Sequence, residues 1–393
     1  MSDDFDREID RTGTCSTKYD GRQATFGHPD VMPLWVADMD FAAPAAVTEA
    51  LTARAAHPVY GYTLFPDSLY EALINWLKLR HGWRVEREWI VFCPGVVPSL
   101  SATILALSEP NESVIVQPPV YYPFFSVIKK TGRKLLTSAL QLVEGSYRMD
   151  FADLSQQAVS ARMLLFCSPH NPVGRVWSRP ELERLLDIAR QHQLVIVSDE
   201  IHADLIYPGN RHHVLASLAD SPQTVITAVA PSKTFNIPGL NLSTLIVPDP
   251  AYRAAIRDRL EMMHVSAANP FSVVAFEAAY RAGGEWLEAL MTYLADTREM
   301  VRQCLAEYLP EIRLILSQGT YLLWLDCRRL DMSDDELKRF FIFEAGVGMN
   351  PGISFGQEGS GFMRMNIGTP RHRIRQALES IRSALERRKN SVS

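Results

Sequence analysis

The sequence predicts an α/β fold, and three observations carry the prediction. Between Arg84 and about Pro248, short apolar runs alternate with helical patterns. Several of those runs are apolar at consecutive positions, which suits strands covered on both faces of a mostly parallel sheet. After Asn269 the text changes to long amphipathic helix and then to a mixed section, which predicts a second, smaller α+β domain. In chain order, the first forty-odd residues fit neither block and are expected to form an arm on the second domain or on another subunit. Strands are predicted at 89–92, 113–117, 163–167, 194–197, 224–229 and 242–247, with helices at 98–107, 123–131 and 180–193. The last helix starts Ser178-Arg-Pro-Glu-Leu-Glu, a serine cap followed by proline and acids in the first turn. Residues 270–309 read as helix broken at Gly283-Gly284. Strand-like 312–316 and 321–325, a helix from about Ser333, a strand at 363–367 and a terminal helix from Arg371 complete the chain.

Composition narrows the function classes. The 393 residues suit two or three domains, and 47% apolar with 22% charged is ordinary for a globular protein. Forty basic against forty-five acidic residues give a net charge of −5 with no basic stripe, so no nucleic-acid partner is expected. The five cysteines (Cys15, Cys93, Cys167, Cys304, Cys327) are scattered, form no C-x-x-C pair and have no histidine at metal-ligand spacing. Reduced thiols in a cytoplasmic protein without a metal site are the expectation. The opening MSDDFDREID is acidic and lacks the apolar stretch of a secretory signal. No run approaches the ~18 apolar residues of a membrane span, so a soluble protein is expected.

Ligands of open α/β sheets bind beyond the carboxyl ends of the strands. Those ends carry Pro94-Gly95-Val96-Val97 opening a helix, Tyr121, Asn171, Asp199 with His202 three residues on, and Ser232-Lys233. Each alone has an ordinary explanation: a turn, a core ring, a loop asparagine, a capping acid, a solvated lysine. One ligand requires them together. A glycine turn at a helix start cradles a phosphate through backbone amides. An aspartate keeps a pyridine nitrogen protonated, an asparagine binds a phenolate oxygen, and a ring covers the pyridine face. A lysine of depressed pKa supplies the amine. That ligand is pyridoxal 5′-phosphate.

The same residues resemble the fold-type I pyridoxal-phosphate enzymes of the aspartate-aminotransferase superfamily, a large domain with a mostly parallel seven-stranded sheet between helices plus a smaller α+β domain. More narrowly the chain resembles the cystathionine β-lyase-like C–S lyases of the MalY/PatB type. The phrases that carry this are PLWVADMDF (33–41), YGYTLFP (60–66), CPGVVPSL (93–100), PPVYYPFF (118–125), CSPHNPVGRVW (167–177), SDEIHADL (198–205), SKTFNIPGL (232–240) and FMRMNIGTPR (362–371). His202 matters most, because aminotransferases more often have tyrosine there.

The resemblance implies an arm at 1–45, a large cofactor-binding domain at 46–283 and a small domain at 284–393. It implies Lys233 as Schiff-base lysine, Asp199 on the pyridine nitrogen, Asn171 on the 3′-oxygen and Tyr121 against the ring, with His202 behind. Amides of Val96 and Val97 and the Ser232 hydroxyl are expected on the phosphate. Tyr62 is expected to reach the phosphate of a neighbouring subunit in a homodimer with shared sites. Arg364, helped by the Ala37 backbone and Asn171, is expected to bind the substrate carboxylate. Three positions depart from the pattern: Ala230 where a serine is common, Asn241 where aminotransferases place an arginine, and Tyr19 where a tryptophan is expected. The implied reaction is α,β-elimination from L-cystathionine or another S-substituted L-cysteine, giving a thiol, pyruvate and ammonia, with Lys233 as base and Tyr121 or Lys233 assisting a poor leaving group. The alternatives are an aminotransferase on the same scaffold and a lyase with an added regulatory partner. Met39, Asp40 and 349–355 are candidates to line the pocket for the sulfur substituent, or core.

Overall fold

A computed structural model describes residues 4–265 and 267–392. Seven strands form the principal sheet: β1 (Ile90–Cys93), β2 (Ser113–Val116), β3 (Lys134–Thr137), β4 (Ala161–Cys167), β5 (Val195–Asp199), β6 (Val225–Val229) and β7 (Ser243–Ile246). Their order is β1-β7-β6-β5-β4-β2-β3. Only β7 runs antiparallel to its neighbours.

The unbroken apolar runs follow from this layering. Ile115, Leu164, Phe166 and Ile196 face one layer with Leu182, Leu185 and Ile188 of the helix Arg179–His192. The intervening Val114, Val116, Met163, Leu165, Val195 and Val197 face the other, with Leu100 and Ile104 of helix α1 (Val96–Leu107). The period of two is intact, but both phases are buried.

The six predicted strands are present, and the seventh, β3, is an edge strand whose sequence KLLT lies between exposed ends and therefore lacks a buried-strand signature. Ser178 stands at the predicted cap position in a capping-box arrangement, and its amide and hydroxyl both donate to the Glu181 carboxylate, at 2.8 and 2.7 Å. The break in 270–309 separates Pro270–Ala282 from Gly284–Tyr308. Gly283 is required there because a Cβ would stand 2.3 Å from the Phe235 ring. Two helices with no predicted counterpart, Ala45–Ala56 and Asp67–His81, precede the sheet. The second buries Leu69, Ala72, Leu73 and Leu77 at helical spacing.

A second sheet holds β8 (Arg313–Leu314), β9 (Leu322–Asp326), β10 (Asn350–Pro351) and β11 (Phe362–Asn366), in the order β8-β9-β11-β10, all antiparallel. Ser333 caps the helix Asp334–Arg339. The amino-terminal arm packs on this part of its own chain: Met32–Pro33 pairs in parallel with Val347–Gly348, and Glu8 binds His372 and Arg373. Among the described residues no helix is long and apolar enough to cross a membrane.

Candidate active site

Sheet topology gathers the predicted residues on one edge. Cys93 lies opposite Ser243, Cys167 beside Asp199, and Asp199 beside Ala228, so the segments leaving β1, β4, β5 and β6 emerge next to one another. After β1, Gly95 takes φ +124°, a conformation L-residues rarely adopt, and turns the chain directly into α1. No side chain caps that helix, so its first amides, those of Val96 and Val97, are presented without a built-in acceptor.

Asp199 ends β5 and is 3% exposed. One carboxylate oxygen accepts from the Ile201 amide at a long 3.3 Å. Burial pushes its pKa up to about 7, against the opposing pull of that amide and of Lys233. The His202 ring lies 6.2 Å from that of Tyr321, and its Nδ1 is buried without a hydrogen-bond partner. Burial, then the neighbouring Lys233 and Arg364, lower His202 to about 3, so it is a neutral imidazole. Lys233, half-buried, donates to the Ala37 carbonyl at 2.7 Å. Surrounding protein and the Arg364 charge bring its amine down to about 8, partly offset by Asp38 and Asp199. Tyr121, half-buried after β2, stands 6.0 Å from Phe124 centre to centre. Burial first, and then Tyr122 and Asp199, raise its phenol well above the usual range.

Arg364 comes from β11 of the second sheet. It is 3% exposed, and its three hydrogen-bond partners are neutral oxygens: Asn171 Oδ1 at 2.9 Å, the Trp35 carbonyl at 3.1 Å and Asn350 Oδ1 at 2.7 Å. Phe355 lies 4.8 Å beneath the guanidinium, and Nε has no partner. Among the described residues no carboxylate forms an ion pair with it. A guanidinium desolvated in this way is stabilised by an anion, and burial lowers its pKa to about 10.

The structure brings Lys233, Asp199, His202, Asn171, Tyr121 and Arg364 close to one another, with the start of α1 at Val96 and Val97 on the same sheet edge. The Asn171–Arg364 contact joins the two sheets. Ala37 enters through its carbonyl, which also accepts from the Tyr321 hydroxyl at 2.8 Å. Ser232 is half-buried beside Lys233. Tyr62 is fully exposed, with Val59, Tyr60 and Leu64 exposed around it, and among the described residues it makes no hydrogen bond or ring contact. Of the pocket candidates, Met39 belongs to the core and Asp40 is buried in an ion cluster, whereas Asn350 and Phe355 touch Arg364. Tyr321 joins the site from outside the quoted phrases, whereas Trp35 lies within 33–41 and Asn350 within the 349–355 candidates, neither singled out for contact with Arg364. Their signal was spatial: Asn350 lies directly across from Arg364 in the strand register.

These residues fit pyridoxal phosphate. An uncapped helix start suits the phosphate, a buried acid that forms no ion pair among the described residues suits a pyridinium, and an amine of lowered pKa suits the aldehyde. The family described as aminotransferase class I and II matches residues 29–381. Cystathionine β-lyase PatB of Bacillus subtilis is 41% identical, over 97% of this chain and 99% of its own length. Protein MalY of Escherichia coli is 32% identical, over 97% and 98% respectively. Among solved structures, cystalysin from Treponema denticola, which contains pyridoxal 5′-phosphate, superposes with a TM-score of 0.94 at 36% identity, over 98% of this chain and 99% of that one. A C–S lyase from Staphylococcus hominis with bound pyridoxal phosphate gives 0.90 at 32%, over 97% and 98%. The match runs through both sheets and every segment that lines the site, and the chain belongs to the class I and II aminotransferase family, in its C–S lyase branch.

Proposed function

We propose that the protein is a pyridoxal-phosphate-dependent carbon–sulfur β-lyase that cleaves L-cystathionine or a related S-substituted L-cysteine. The observation that carries the reading is a buried guanidinium, Arg364, facing neutral oxygens only, in the same site as a buried acid and an amine of lowered pKa. Pyridoxal phosphate supplies the electron sink that stabilises negative charge developing at the substrate Cα.

The chain's residues do the rest. The amides of Val96 and Val97, with Ser232, would hold the phosphate. Asp199 would keep the pyridine nitrogen protonated, Asn171 would bind the 3′-oxygen, Tyr121 would cover the ring, and neutral His202 would support the acid. Arg364 binds the α-carboxylate through its fork, oriented by Asn171 and Asn350. Lys233 Nζ, poised near neutrality, takes the proton from Cα and holds it. The thiolate leaving from Cβ has a conjugate-acid pKa of about 8.5 and needs little assistance from an acid. Water then converts the released enamine into pyruvate and ammonia.

We read the division at 1–45, 46–283 and 284–393 as arm, cofactor domain and small domain. The exposed Val59-Tyr60-Gly61-Tyr62-Thr63-Leu64 run supports a homodimer in which Tyr62 completes the partner's phosphate site. All five cysteines are free, which suits the cytoplasm.

The test follows pyruvate and free thiol from L-cystathionine with no keto acid added. Equal yields are expected. Bound cofactor with no pyruvate from any cysteine thioether would replace this reading with the aminotransferase.

Asp199 gives a second expectation, for protein stripped of cofactor. Its folded pKa of about 7 exceeds the ~3.9 of an unfolded aspartate. Between those values the folded chain keeps a proton that the unfolded chain has lost, so this group's contribution to stability falls as pH rises through the window. Asp199→Asn is therefore expected to gain thermal stability relative to the stripped wild type on going from mildly acidic to alkaline buffer. Parallel melting curves for the two across that range would rule this out.

A further inference from the structure

The strap from Val36 to Phe41, which presents the Ala37 carbonyl to Lys233, is held from three directions. Asn366 donates to the Val36 and Asp38 carbonyls at 2.5 and 2.7 Å. Asn236, near Lys233 in sequence, donates to the Met39 and Phe41 carbonyls at 2.9 and 2.8 Å and accepts from the Met39 amide at 2.8 Å.

The third hold is a four-charge cluster formed with the amino-terminal arm. Lys18 is 0% exposed, and its ammonium contacts Asp40 at 3.1 Å, Asp38 at 3.7 Å and the Asp38 carbonyl at 3.3 Å. Arg11 spans both acids, at 2.7 Å to Asp38 and 2.7 Å to Asp40, and reaches the Met39 carbonyl at 3.3 Å. Two cations and two anions fix the residues on the carboxyl side of Ala37. A buried ammonium is retained only where partners repay its desolvation, and here the partners lie on the strap that touches Lys233.

We propose that Arg11 and Lys18 are positioning residues for Lys233: through Asp38 and Asp40 they hold the strap so that the Ala37 carbonyl accepts a hydrogen bond from Lys233 whenever Nζ carries the substrate's proton. The inference rests on Lys233 as the base. The protonated amine faces like charge from Arg364, opposite charge from Asp199 and Asp38, and the neutral His202 and Tyr321. The Ala37 carbonyl, 2.7 Å away, is its direct acceptor. The cluster needs no contact with substrate to act, because Ala37 transmits its position.

Arg11→Gln is the first test, since the Arg11 side chain is 21% exposed. For cystathionine, kcat is expected to fall about tenfold, equivalent to about 1.4 kcal/mol, with KM held within about twofold because Arg364 is untouched. Cofactor-free Arg11→Gln should also show faster labelling of Lys233 by trinitrobenzenesulfonate at neutral pH, because its ammonium has lost a firmly held acceptor. Arg11→Lys keeps the charge but cannot fork across both acids, so it should fall between the two, and it takes over as the test if Arg11→Gln does not fold. Wild-type kcat and labelling with only a lower melting temperature would reduce the cluster to an anchor for the arm and overturn the proposal. So would a rise in KM at unchanged kcat. A wild type that yields no pyruvate would instead refute the lyase reading, and the labelling rates would still decide whether the cluster acts on Lys233.

Discussion

Lys233→Ala is expected to abolish formation of pyruvate and thiol from cystathionine, with a loss of at least ~10²–10⁴, the usual worth of a positioned general base. Lys233 is the amine that the site lowers to about 8. The neighbouring ionisable groups are poor substitutes as a base, because burial leaves the His202 imidazole only weakly basic, at about 3, and keeps the Tyr121 phenol protonated. The fold should tolerate the change. The deleted amine is held by one hydrogen bond to Ala37, and its desolvation penalty disappears with it. A folded variant whose thermal transition matches the wild type, but which makes neither product, is the expected result. Activity within about tenfold of wild type would mean that another group moves the Cα proton.

Arg364→Leu is expected to lower kcat/KM by ~10²–10³, chiefly through KM, by removing a buried, bidentate partner of the substrate carboxylate. Arg364→Lys should recover little, because an ammonium cannot reproduce the fork held by Asn171 and Asn350. The leucine substitution should leave the melting temperature unchanged or raised, because it removes a desolvated charge that no protein anion pairs. Lower activity together with undiminished stability marks a residue kept for its ligand. A melting temperature that falls in step with activity would assign Arg364 to holding the two sheets together.

Most of the site was legible because its parts are local in sequence. Each of β1, β4, β5 and β6 ends in a short signature, and the sheet aligns those ends, so the segments carrying Gly95, Asn171, Asp199 and Lys233 could be placed on one edge without coordinates. Arg364 was visible only through the resemblance, since its strand belongs to another sheet and its neighbours Trp35 and Asn350 are remote in the chain. The ion cluster escaped entirely. Asp40 was a candidate for the pocket or the core, but nothing in the sequence paired it with Lys18, and only the packing of the arm on the second sheet shows that both are buried together. Edge strand β3 and the helix at Ala45–Ala56 were missed for a related reason: both bury little apolar surface, so tertiary context decides them.

The turn at Gly95 closes a route that stability engineers usually find open. Replacing a residue before a bare helix start by serine or aspartate commonly gains about 0.5–2 kcal/mol. Here the φ of +124° penalises any side chain. An aspartate would also place a negative charge where we propose that the phosphate sits, and would compete with it for the uncapped amides at the start of α1. A sequence optimised for the empty protein would therefore be driven away from glycine at this position, and one optimised for the loaded enzyme back to it.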